Sequence, residues 1–238
     1  ADPIENGDAV LSLNFRADRM RQIVKALNDT DFSHFSVKPL TVLFTSMTKY
    51  QEDFPYPVLF SPNKIDNTFS DILSKNKYRQ LRIAETEKYA HVTYFFNGGN
   101  ETPCKGEYRK LIPSPKVATY DLKPEMSAYE ITEELIIAIE SNNFESIIVN
   151  FANPDMVGHT GDIEAAKIAI ETIDSCLGRI QKTLQAGHAA LFLTADHGNL
   201  ELMENLETGE IHTAHTTLPV PLVLQCKNKD YSLKKTGK

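Results

Sequence analysis

The chain predicts an α/β protein: a mostly parallel sheet with helices on both faces, as one large domain or as one domain joined to a piece of another. Three observations carry this. Helical stretches alternate with apolar runs too uniform to be half-exposed, as expected of strands covered on both sides. Two of those runs, 146–152 and 191–194, end abruptly in Asp and His residues, and in parallel sheets ligands bind beyond the carboxyl ends of the strands. Three prolines between Phe54 and Pro62 resist regular structure and mark a crossover. They set the expected division into domains 1–60 and 61–238.

In order along the chain, residues 9–15 read as a strand and 18–27 as a helix, with Met20, Ile23, Val24 and Leu27 at helical spacing. Residues 40–45 form a second strand. Beyond the prolines come a short helix near 66–74, a strand at 80–83, and a helical segment through 84–95 that Gly98 and Gly99 end. Residues 100–125 are polar, proline-bearing and aperiodic, a surface excursion. Ser127 and Glu130 have capping-box spacing and open a helix with Ile131, Leu135, Ile136 and Ile139 on one face. After the strand at 146–152, a long helix over 163–185 turns Ala166, Ile170, Ile173, Leu177, Ile180 and Leu184 inward. A strand at 190–194 and an apolar run at 220–224 follow.

At 238 residues, 41% of them hydrophobic, the chain can bury a sizeable core. With 25 basic and 32 acidic residues its formal charge is −7, which argues against nucleic acid or an anionic membrane as the main partner. No apolar run approaches the roughly 20 residues that span a bilayer, and no signal-peptide pattern opens the sequence. Cys104, Cys176 and Cys226 are odd in number and include no C-x-x-C pair, which suits thiols in a reducing compartment. A cytoplasmic monomer acting on a small molecule is expected.

The chemistry concentrates in Asp155, His159, Asp196, His197 and the pair His212 and His215. Adjacent strand residues point to opposite faces, so Asp196 and His197 serve one site only if the chain turns, which Gly198 would permit. Mixed carboxylate and imidazole donors suit Mn²⁺, Zn²⁺ or Fe rather than Ca²⁺. Five or six such residues suggest two ions, about 3.5 to 4 Å apart in two-metal enzymes, clamping the oxygens of a phosphoryl transfer. His34, His91 and His188 stand in ordinary local settings. Arg16 and Arg19, three apart at a helix opening, could seat a phosphate or carboxylate, or form a solvated helix face. By local rules alone Lys88 is a surface lysine.

Taken together, several segments closely resemble the cofactor-independent (2,3-bisphosphoglycerate-independent) phosphoglycerate mutase family. They are Asn14-Phe-Arg-Ala-Asp-Arg19, the stretch 81–99, Pro124-Glu-Met-Ser-Ala128, the stretch 150–161, Thr194-Ala-Asp-His-Gly-Asn199 and Thr213-Ala-His-Thr216. The Thr194–Asn199 block alone marks the wider alkaline-phosphatase-like superfamily and implies its fold; the stretch 81–99 and the arginine motif point to the mutase. The resemblance implies interconversion of 3-phosphoglycerate and 2-phosphoglycerate through a phosphoserine, with two divalent ions, Mn²⁺ above all. It assigns one ion to Asp155, His159 and His215, a share of the second to Asp196 and His197, the phosphoryl group in transit to Lys88, and the substrate to Arg16 and Arg19. The family's N-terminal part, with its nucleophilic serine and an aspartate of the second metal site, has no counterpart here, nor has its C-terminal end. Residues 1–60 then correspond to the end of a phosphotransferase domain and 61–238 to an incomplete phosphatase domain, a C-terminal fragment expected to be inactive alone. Another phosphohydrolase or a phosphopentomutase of that superfamily, or a non-catalytic metal-binding module, are the rival readings.

Overall fold

A computed structural model describes residues 3–29, 31–38, 40–61, 65–186, 189–205, 207–227 and 231–234; Pro62 and His188 lie outside the described residues. The chain divides into two compact units, Ala1–Ile65 and Asp66–Lys238.

In the first unit, β1 (Ala9–Ser12) pairs in parallel with β2 (Leu43–Ser46), and α1 (Asp18–Asn28) connects them. Val24 is fully buried, whereas Ile23, expected inside, is half-exposed. The helix opens at Asp18, as its periodicity predicts, which leaves the two arginines on either side of its start. Its N-cap is Ala17, which has no side chain to cap with, so Arg16 precedes the helix and only Arg19 lies in its first turn. Tyr50 fixes this entry: buried, its hydroxyl donates to the Asn14 carbonyl at 2.5 Å, and its own carbonyl accepts from Arg21 Nε at 2.7 Å.

The second unit begins with α2 (Phe69–Lys75), closed by a reciprocal capping box between Thr68 and Asp71. Next come β3 (Gln80–Glu85), a 3₁₀ turn at Thr86–Lys88 and the short α3 (Tyr89–Val92). After β4 (Glu107–Ile112) and a second 3₁₀ turn at Tyr120–Leu122, the chain continues through α4 (Ala128–Glu140), β5 (Ser146–Asn150), α5 (Asn153–Gly158) and α6 (Ile163–Ala186). It finishes with β6 (Leu191–Thr194) and β7 (Leu222–Gln225).

The parallel sheet has the order β4-β3-β5. Period-two alternation sends Leu81 and Ile83 of β3 to one face, where they meet Ile131, Leu135 and Ala138 of α4 and Ile180 and Leu184 of α6. Gln80 and Arg82 go to the other face, where Ser70 of α2 accepts from both side chains and Phe96 lies 4.5 Å from the guanidinium. Helices thus cover both faces of β3, although its own sequence alternates polar and apolar residues; the apolar run of β6, expected to be covered, is half-exposed, with Phe192 facing solvent.

Five local expectations are corrected. The excursion at 100–125 contains β4, disguised because Tyr108, Lys110 and Leu111 of this outer strand face solvent. The helical segment at 84–95 is first strand, then 3₁₀ turn, because Ala84 and Glu85 continue the pairing with β4 and β5. Ser127 does not cap α4; its hydroxyl donates instead to the Pro113 carbonyl at 2.8 Å. Ile170 is exposed, and Ala165, Ala166 and Ala169 take the inward positions of α6 because small side chains let the helix approach Val157 of α5. Finally, β6 pairs antiparallel with β7 in a separate two-stranded sheet, not within the parallel one.

Candidate functional site

Two parallel strands deliver their ends to the same edge. From β3 the chain enters the 3₁₀ turn that ends at Lys88; from β5 it enters α5, which carries Asp155 in its first turn. His159 follows one helical turn later, on the same face. The other imidazoles come from two segments held side by side by a bridge between Gly198 and Thr216, in which the Thr216 N–H donates to the Gly198 carbonyl at 3.0 Å. Gly198 does not serve by a left-handed conformation, as its turn reading supposes, since its φ is not positive. It serves by size: a Cβ there would run into the Glu201 carboxylate and the Thr216 hydroxyl.

Asp155, His159 and His215 place one donor atom each within 4.8 Å of one another. Asp155 Oδ1 lies 3.2 Å from His159 Nε2 and 3.0 Å from His215 Nε2, and the two Nε2 atoms are 3.0 Å apart. His159 Nδ1 sits 2.7 Å from the Thr213 carbonyl. A carbonyl only accepts, so in neutral His159 the proton belongs on Nδ1 and the Nε2 lone pair faces the cluster, the usual arrangement behind a metal-ligating histidine. His197 stacks on His215 with centroids 3.7 Å apart, and Asp196 Oδ2 is 3.6 Å from His197 Nε2. The donor set therefore fits a divalent ion at Asp155, His159 and His215, with Asp196 and His197 alongside.

The second carboxylate oxygen of Asp155 is occupied by Lys88, whose Nζ lies 2.6 Å away with only 5% of its side chain exposed. This buried lysine is the opposite of the surface residue that local rules suggest; the strand pairing of Ala84 and Glu85 carries it inward. Burial works against ionisation of Asp155, but hydrogen bonds from Lys88 and Asn199 and the Lys88 charge outweigh it and bring the carboxyl down to about 2. For His215, burial outweighs the attraction of Asp155 and lowers the imidazole's pKa, which keeps the ring neutral and available as a donor.

Asn199 is the participant whose role the sequence does not disclose. Its amide nitrogen donates to Asp155 Oδ1 at 2.8 Å, and its place is made by Gly158, where a Cβ would stand 2.8 Å from Asn199 Cγ and 2.9 Å from Leu200 Cδ2. The one signal is position, two residues beyond His197. His212, left open by its spacing, points Nδ1 at the Leu202 carbonyl 3.0 Å away. Arg16 and Arg19 belong to the first unit; Arg16 Nε lies 3.5 Å from Asp18.

The profile of the metalloenzyme superfamily matches residues 12–238. The chain belongs to that superfamily. Similar curated relatives carry the name 2,3-bisphosphoglycerate-independent phosphoglycerate mutase. One from Clostridium tetani is 54% identical over 236 residues, 98% of this chain and 46% of the relative. Another from Pseudomonas entomophila is 52% identical over 228 residues, 95% and 45% respectively. A solved structure of Leishmania mexicana phosphoglycerate mutase at low cobalt concentration superposes with a TM-score of 0.86 at 34% identity, covering 93% of this chain and 43% of that one. This superfamily member thus shares the alkaline-phosphatase-like α/β fold and spans about half the length of the relatives it matches. Among its described residues no helix is long and apolar enough to cross a membrane.

Proposed function

We propose that the chain carries the metal-binding part of a 2,3-bisphosphoglycerate-independent phosphoglycerate mutase, which interconverts 3-phosphoglycerate and 2-phosphoglycerate in the cytoplasm. The observation that supports it best is the buried ammonium of Lys88 against Asp155, whose other oxygen lies within 3.2 Å of two imidazole nitrogens. A buried lysine beside a cluster of metal donors is suited to an anionic group that transits the site, because its charge is already desolvated and held in place.

In this reading Asp155, His159 and His215 hold one divalent ion, and Asp196 and His197 contribute to a second. Such ions, Mn²⁺ first among them, supply charge neutralisation and polarisation of phosphoryl oxygens. Lys88 takes the charge of the phosphoryl group in transit, trading part of its contact with Asp155 for phosphate oxygens. The guanidinium groups of Arg16 and Arg19 offer planar paired donors to the substrate's phosphate or carboxylate. Asn199 and Thr213 keep the ligands aimed.

The test is isomerisation of 3-phosphoglycerate by the full-length protein that contains this chain, with free phosphate measured in parallel. Isomerisation that Lys88→Ala lowers at least tenfold is expected. Release of phosphate without 2-phosphoglycerate would instead make the protein a phosphohydrolase.

A further inference from the structure

Ser114 lies in none of the segments that hold a metal donor, yet it makes three hydrogen bonds to three consecutive residues. Its hydroxyl donates to Glu85 Oε2 at 2.8 Å and accepts from the Glu87 N–H at 3.4 Å; its own N–H donates to Thr86 Oγ1 at 3.1 Å. Those residues span the exit of β3 and immediately precede Lys88. The partner they find in Ser114 is itself stiff, because Pro113 and Pro115 flank it, fixing their own φ and confining the residues before them to extended backbone.

The clamp is anchored on its far side. Glu85 is fully buried, and its other oxygen accepts from the N–H of Ser127 at the opening of α4. Burial raises the carboxyl's pKa, against the hydrogen bonds from Ser114 and Ser127. Met126, next to Ser127, is buried in a left-handed backbone with φ 45°, a conformation a bulky residue holds only where its surroundings impose it. Glu87 is held as well, by the Tyr120 hydroxyl at 2.9 Å. Every residue of the approach to Lys88 is therefore tied to the segments 113–114 and 120–127, while Lys88 itself makes the contact with Asp155.

We propose that Ser114 is a positioning residue: it locks residues 85–87 so that the Lys88 ammonium is presented at the donor cluster rather than sampling solvent. The proposal deepens the mutase reading and rests on it. A short turn lacking such a clamp would let a lysine, with its four-carbon stem, occupy many rotamers, and a misplaced charge loses much of its value to a transition state.

The experiment uses the full-length protein with Ser114→Ala and Ser114→Thr, and two readouts. The first is the rate at which Lys88 is reductively methylated by formaldehyde and cyanoborohydride, followed by mass spectrometry and independent of any catalysis. We expect it to rise about tenfold in the alanine variant, from the loss of the two hydroxyl contacts, and to stay at the unsubstituted rate in the threonine variant, which keeps the hydroxyl. The second is isomerisation of 3-phosphoglycerate, where kcat should fall about tenfold in the alanine variant with KM held within about twofold. Unchanged labelling of Lys88, equal loosening by alanine and threonine, or faster labelling with unchanged kcat each overturns the proposal. If Ser114→Ala does not fold, Thr86→Val, which removes one contact at an exposed side chain, is read in the same way. Failure of the unsubstituted protein to isomerise 3-phosphoglycerate would refute the mutase reading, and the labelling arm would still decide whether Ser114 holds Lys88.

Discussion

Gly158→Ala adds a single methyl group beside the donor cluster. Gly158 ends α5 with a helical backbone and no positive φ, so alanine meets no conformational penalty and should gain at most about 0.5–1 kcal/mol from its better helix propensity. Against this, the methyl would stand 2.8 Å from Asn199 Cγ and 2.9 Å from Leu200 Cδ2. Asn199 cannot swing aside freely, being buried and bonded twice to Asp155. Overpacking of about 1–3 kcal/mol exceeds the helix gain, so a net loss of stability is expected. The larger effect falls on metal binding: once Asn199 is displaced, Asp155 loses its aiming contact, and outer contacts of this kind are worth about 10–100-fold in affinity. Titration calorimetry with Mn²⁺ at neutral pH reads this directly. Because both substitutions act through one side chain, the double variant with Asn199→Ala should bind no more weakly than Asn199→Ala alone. Affinity of Gly158→Ala within about twofold of the unsubstituted protein would refute the reasoning, as would full additivity.

Other outcomes follow from the same geometry. Lys88→Met leaves the Asp155 carboxylate buried without its cation, and should cost about 3–5 kcal/mol in chemical denaturation of the chelator-treated protein. In that metal-free state Asp155, held at about 2 against an ordinary value of 3.8, contributes about 2 kcal/mol. Its sign is that of a depressed carboxyl: the contribution is full above about pH 4 and is lost as pH falls through about 2, so Asp155→Asn should flatten the stability profile across that window. Replacing His159 and His215 together with alanine should abolish Mn²⁺ binding at the Asp155 cluster, and in the unsubstituted protein affinity should fall as pH drops through the histidine range. The 238-residue chain alone should not isomerise 3-phosphoglycerate, since among the described residues the one group of three donors is Asp155, His159 and His215, and Asp196 and His197 are too few to fix a second ion; steady conversion by the purified chain would overturn this.

Much of this was legible because the signals are local. The carboxylates and imidazoles stand at the ends of apolar runs, and the inward stripes of α4 and α6 follow from helical periodicity. What stayed hidden depends on pairing over long sequence distances. The stretch Glu107–Ile112 reads as polar because it is an outer strand with solvated side chains, and its strand character comes from alignment with β3. Lys88 reads as a surface residue because nothing in its neighbours reveals Asp155, 67 residues away in sequence. Ser127 has the spacing of a cap, but the Pro113 carbonyl competes for its hydroxyl. Ile170 loses the inward position to Ala169 because the approach of α5 rewards a small side chain, which hydrophobicity alone does not express.

The polar face of β3 has a further consequence. Arg82 is wholly buried, and burial pushes its pKa down to about 10; with Gln80 it shares a hydrogen bond and the company of Ser70. Leu81 and Ile83 occupy the opposite, oily side. Slippage of this strand by a single residue would drive a guanidinium into aliphatic packing and leave Ser70 facing isoleucine, two penalties incurred at once. The strand therefore works as a keyed shaft that enters its slot in one setting only. Because the turn that presents Lys88 begins where this strand stops, that key also fixes, to the nearest residue, where the ammonium emerges.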